Sequence, residues 1–204
     1  MQARAHPTDV DVLYDGALMD YSAGNLAAGP AFVVAAHLSL RPSARALVGV
    51  ADSAGGSLLE ELEPVSLASP AWLTEAAPVP ATSYTETNVF ARVLSSLDQG
   101  RWKRNLAGML VKPVPGVAAQ LLKLEAGRSV PHHGHHGQEF TLVLSGAFED
   151  GHGIYRRGDL VVQDEEGEHQ PCATSDGDCI CLISQTAPVR LKGPLGWIVN
   201  ALSS

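Results

Sequence analysis

The stretch Gly127-Arg-Ser-Val-Pro-His-His-Gly-His-His-Gly-Gln-Glu-Phe-Thr-Leu-Val-Leu-Ser-Gly146 decides how this chain is to be read. Four of the chain's eight histidines and one glutamate fall between His132 and Glu139, and an alternating apolar run follows at once. On an extended backbone, side chains of equal parity leave the same face. His133, His135 and Glu139 therefore point together, whereas His132 and His136 have the opposite parity and read as loop residues. Imidazole nitrogens and a carboxylate converging from one strand face suit a divalent metal ion. The set lacks a fourth ligand.

Around this stretch the second half of the chain has the period of a β protein. Short apolar runs occur at Val111, Val117–Leu124, Phe140–Leu144, Ile154, Leu160–Val162, Cys179–Ile183 and Val189–Leu191. Turn signals separate them, among them Pro115-Gly116, Gly127, Gly146, Asp150-Gly151, Gly158-Asp159 and Asp176-Gly177. Many short, evenly spaced strands predict a sandwich or barrel. His152 falls in one of the turns and reads as simply exposed.

The first half has a different period. Leu13, Leu18, Tyr21 and Leu26 recur at helical spacing after Thr8-Asp9, which can cap a helix. Asn25 to Pro30 reads as a breaker, with Pro30 in the first turn of a second helix that ends before Pro42. A third helix over Ala44–Val50, an interruption at Gly55-Gly56 and a short fourth helix from Ser57 complete a small bundle held by mutual packing. Prolines 64, 70, 78 and 80 mark a linker, followed by one more helical pattern at Val89–Leu97.

Composition sets limits on function. In 204 residues, 45% are apolar, enough for a real core, and the net charge of −8 argues against a non-specific hold on nucleic acid. Three cysteines, two of them only two positions apart, do not suggest a disulfide framework, which favours a reducing cytoplasm. The N-terminus shows no apolar signal segment, and no run approaches the roughly 20 residues of a membrane span.

His169 ends the segment Gly158-Asp-Leu-Val-Val-Gln-Asp-Glu-Glu-Gly-Glu-His169, a turn, a strand and an acidic turn. Together with Gly127, His133, His135, Glu139 and Gly146, this resembles the two sequence motifs of the cupin family. In the second motif Asp164 and Glu166 replace a proline and a glycine, and Ala173 replaces an asparagine, changes that concern turn shape. The resemblance implies a jelly-roll β-barrel and four metal ligands: His133, His135, Glu139 and His169. Such a set suits Zn²⁺, Fe²⁺, Mn²⁺ or Ni²⁺, and ligand type alone does not choose among them; zinc is the leading expectation.

The helical half adds a second resemblance. Asp20 to Leu26, Val33 to Leu40 and Gly55 to Glu61, with Thr141–Leu144 and Asp178–Leu182 in the barrel half, resemble the ChrR-type anti-sigma factors, in which a helical domain precedes a cupin. The resulting expectation is an α+β chain: an anti-sigma-like helical domain at 1–78, a linker at 79–100 and a cupin domain at 101–204. The resemblance implies a cytoplasmic regulator that binds an extracytoplasmic-function-type sigma factor and senses stress through the barrel. It implies no direct contact with nucleic acid or membrane.

That family's helical domain ligates zinc through His-x3-Cys-x2-Cys and an earlier histidine. Here His37 is followed by Arg41 and Ala44, and His6 lies too far upstream, so no zinc is expected in this half. The alternative is a metal-dependent cupin enzyme such as a dioxygenase, with the helices used to form a homodimer. No arrangement of catalytic acid, base or nucleophile is visible. Cys179 and Cys181 face one side of a strand, either as a redox-responsive pair or, the reading preferred here, as two small buried hydrophobes.

Overall fold

In the computed structural model, residues 9–60, 62–65, 86–105, 108–187 and 189–191 are described. The segment Ala28–Leu40, helix α2, is apolar all round its circumference, and a helix of that kind must be buried on every side. The fold supplies the cover. Helices α1 (Asp9–Ser22), α3 (Pro42–Glu60) and α4 (Glu86–Asp98) pack on it, and its remaining face lies on a β-sheet. Phe32, Val33, Val34, Ala35 and Ala36 are fully buried. Gly29 allows the closest approach, since a Cβ there would lie 2.5 Å from the Ala118 carbonyl oxygen.

Two expectations change here. The glycine pair 55–56 does not end a helix, because α3 runs unbroken through it. Glycine costs about 1 kcal/mol in a helix interior but does not forbid it, and the packing of α3 on α1 and α2 holds the rest of the helix. Nor are the helices held by mutual packing alone. They share one hydrophobic core with Leu121, Phe140, Leu142, Leu160, Val162 and Leu182 of the sheet. Within the stretch 79–100, Glu86–Asp98 form α4 on α2; prolines 70, 78 and 80 lie outside the described residues, whereas Pro64 lies within them.

The β half has strands at β1 (Lys103–Arg104), β2 (Leu110–Pro113), β3 (Gln120–Leu124), β4 (His133–His135), β5 (Glu139–Ser145) and β6 (Ala147–Asp150). These are followed by β7 (Gly153–Arg156), β8 (Leu160–Gln163), β9 (Glu168–His169), β10 (Cys172–Ala173), β11 (Cys179–Gln185) and β12 (Val189–Leu191). A six-stranded antiparallel sheet, β1-β2-β3-β11-β5-β8, stands with two three-stranded sheets, β10-β6-β7 and β12-β4-β9. Strand alternation splits the large sheet between two cores. Phe140 and Leu142 face the helices, whereas Val143, Val161, Cys181 and Ile183 join Phe148 and Ala173 inside the barrel. Glu139 and Thr141 share parity with Val143, so β5 carries its polar residues on the face toward the barrel interior.

Candidate metal centre

Three short elements carry the candidate ligands. His133 and His135 lie on β4, Glu139 begins β5 and His169 ends β9. β4 pairs antiparallel with β9, and His133 stands opposite His169 in the register. The four side chains are all buried, and one donor atom from each lies within 4.8 Å of every other. The distant histidine thus arrives beside the local three.

The imidazoles converge by their Nε2 atoms. His169 Nε2 lies 3.0 Å from His133 Nε2 and 3.2 Å from His135 Nε2. A single proton can satisfy only one of those contacts, so a hydrogen bond does not account for all three nitrogens. Two nitrogens each about 2.0–2.1 Å from one metal ion stand about 3–3.4 Å apart at ordinary bond angles. The observed spacing fits that donor set.

Outer partners orient three of the four candidate side chains, His133, Glu139 and His169, as metal sites require. His133 Nδ1 donates to the Pro131 carbonyl at 2.8 Å, which leaves its Nε2 lone pair facing the cluster. Glu139 accepts from the Thr141 hydroxyl at 3.0 Å and from Gln185 Nε2 at 2.5 Å. Asp150 Oδ2 lies 3.9 Å from His169 Nδ1, while Asp150 Oδ1 accepts from the His152 and Gly153 amides. Burial pushes the Asp150 carboxyl up, but the His169 imidazole and the two amides outweigh it and hold the group below its ordinary value. Burial first, and then the neighbouring His169, lowers His133 to about 4, so its imidazole is neutral and able to ligate near pH 7.

A cavity of about 140 Å³ opens beside the cluster, lined mainly by aliphatic side chains such as Val111, Leu122, Val161 and Ile183. Cys181 lines it too, and its thiol lies 3.7 Å from that of Cys179 within the barrel core. The bond to Cys179 and burial push the Cys181 thiol well above its ordinary value.

His132 and His136 are exposed, as their parity implies, and His152 is exposed in its turn. Asp150, Thr141 and Gln185 were not singled out from the sequence. Asp150-Gly151 reads only as a turn, and nothing local tells that its carboxylate faces a histidine of another strand. His37, the helical-half histidine considered in the sequence, is buried with both ring nitrogens engaged. Its Nδ1 donates to the Gly158 carbonyl and its Nε2 accepts from the Tyr14 hydroxyl, both at 2.9 Å.

Residues 91–189 match the protein family described as the ChrR cupin-like domain. The anti-sigma-E factor ChrR of Cereibacter sphaeroides is 38% identical over 209 aligned residues, covering 91% of this chain and 94% of that protein. The crystal structure of Rhodobacter sphaeroides SigE in complex with the anti-sigma ChrR is similar at 36% identity. It covers 89% of this chain and 98% of the matched chain, with a TM-score of 0.67.

Proposed function

This chain belongs to the ChrR family of anti-sigma factors, and on that premise we propose that its helical half holds a sigma factor while its barrel holds one divalent metal ion and receives the signal that ends the hold. The observation that carries this reading is the likeness over both halves to a ChrR chain bound to SigE. The protein acts in the cytoplasm, where sigma factors meet RNA polymerase.

The surface of the helical half supports the proposal. On α3, Leu47, Val50 and Leu58 are more than half exposed and, at helical spacing, share one arc of about 100°. On α1, Val12 and Met19 are exposed seven residues apart, again on one face. Large apolar side chains grouped in this way mark a surface that a partner covers.

In the barrel, His133, His135, Glu139 and His169 would hold the ion. A bound Zn²⁺ would supply a fixed positive charge and Lewis acidity beside the cavity. Pro131, Asp150, Thr141 and Gln185 hold the ligands in place, and the aliphatic lining keeps bulk water from the carboxylate and imidazoles.

Two measurements test this. Affinity purification of the tagged chain from its native host should recover a sigma factor in stoichiometric amount, and repeated recovery of none would overturn the partner assignment. Elemental analysis of the same material should show one transition-metal ion per chain, lost in His133→Ala with His135→Ala. A metal-free parent protein would overturn the metal assignment.

A further inference from the structure

The helical half meets the barrel through a polar cluster outside the candidate metal centre. His37, near the end of α2, is 2% exposed. Its Nδ1 must carry the proton, because the Gly158 carbonyl can only accept, and Tyr14 of α1 therefore donates to Nε2. One turn further on, Arg41 pairs with Asp159 at 2.5 Å and donates to the Arg157 carbonyl at 3.1 Å. Gly158 sits between the two contacts. Its φ of +89° suits the turn, and a Cβ there would meet Arg41 Nε at 2.8 Å. Its amide donates to Val143 on β5, so the turn is tied to the barrel as firmly as to the helices.

β8 begins directly after this turn. Leu160 and Val162 join the core shared with the helices, while Val161 faces the barrel interior. At its far end Gln163 pairs in register with Glu139, one of the candidate ligands. From Asp159 to Gln163 the path is about 13 Å along one buried strand.

We propose that Tyr14, His37, Arg41 and the turn at Arg157–Asp159 form a metal-free latch that sets the helical half on the barrel, and that β8 carries a change at Glu139 to α1 and α2 through it. His37 and Arg41 are positioning residues here: they join α2 to the turn that precedes β8. Among the described residues of the helical half, His37 is a buried histidine with hydrogen bonds at both ring nitrogens. The trigger rests on the metal reading of the barrel; the latch itself does not.

The test is hydrogen–deuterium exchange on the complete chain, without a sigma factor, in chelator and after saturation with Zn²⁺, with bound zinc counted in parallel. His37→Leu leaves the Gly158 carbonyl and Tyr14 hydroxyl unpaired and should speed exchange at the end of α2 and in the turn at 157–159 by about tenfold or more. His37→Gln keeps one donor and one acceptor and should restore most of the protection. Asp159→Asn, made on the barrel side, should give a roughly two- to fivefold effect in the same two places, as a half-exposed ion pair allows. Unchanged exchange in His37→Leu and Asp159→Asn, or a uniform rise over the whole chain, would overturn the latch. Zn²⁺ should slow exchange in α2 of the parent but not of Asp159→Asn. Zinc bound at one equivalent with α2 unaffected would overturn transmission through β8. No zinc bound to the parent would overturn the trigger and the metal centre together, leaving the latch to stand or fall on the chelator data.

Discussion

Replacing Asp150 by asparagine should weaken metal binding by about 10–100-fold without unfolding the barrel. Asp150 Oδ1 accepts from the amides of His152 and Gly153, and an asparagine oxygen can keep both bonds. The other oxygen faces His169 Nδ1 at 3.9 Å, and the Tyr155 hydroxyl also interacts with this carboxylate. In the parent the carboxylate favours a proton on Nδ1, which leaves the Nε2 lone pair among the other imidazoles. The substitution puts an NH₂ group there, so His169 does better by accepting on Nδ1 and carrying its proton on Nε2, the atom that must ligate. Loss of such an outer partner costs about 10–100-fold in metal affinity, equivalent to about 1.4–2.7 kcal/mol. Competition for Zn²⁺ against a chromophoric chelator measures the affinity, and nitrogen chemical shifts of the imidazole report the tautomer. A dissociation constant within twofold of the parent, with the fold intact, would refute the role given to Asp150.

Stability should fall with pH in a way that depends on His37. Burial keeps its folded-state pKa below the ordinary 6.5, partly offset by the Gly158 bond, with Arg41 lowering it further and Asp159 raising it. Between that lowered value and 6.5 the unfolded chain binds more protons, so this contribution is complete above pH 6.5 and is lost as pH falls through the window. Urea midpoints at pH 7.5 and 5.5 should differ less in His37→Gln than in the parent; equal slopes would count against it. Gly29→Ala should destabilise by about 1–3 kcal/mol, because a backbone carbonyl blocks the new methyl group, whereas Gly16→Ala, in open space within α1, should stabilise by about 0.4–1 kcal/mol. Thermal melts showing the same sign for both would contradict the close docking of α2. Val50→Ser with Leu58→Ser should reduce sigma-factor binding more than tenfold while changing the melting temperature little, since both side chains are exposed; unaltered binding in a pull-down titration would remove α3 from the interface.

The strands with apolar runs were legible because their signal is local. Cys179–Gln185 and Leu160–Gln163 follow the sequence pattern closely, whereas the two-residue strands at Lys103, Glu168 and Cys172 are too short to show any period. Gly55-Gly56 misled as a break because propensity weighs each residue alone, while α3 is held by its neighbours. Of the candidate ligands, His133 and His135 could be grouped by strand parity; Glu139 begins a different strand, β5, and joins them, like His169, through motif spacing. Asp150, Thr141 and Gln185 could not, since short polar side chains near turns are common and only the register brings them to the ligands.

By itself, then, the sequence determined the two periods and the β-rich second half, because strand alternation and helix spacing are properties of a few consecutive residues, and motif spacing supplied the candidate donor set. It also determined that α2 must be buried, from a circumference with no polar face. Only the tertiary structure decided what buries it, and what became of the helical half's histidine. His37 meets Gly158 across 121 positions and Arg41 meets Asp159 across 118. At such separations the partner is chosen by how helices and sheet share one core, which no local pattern in the chain records.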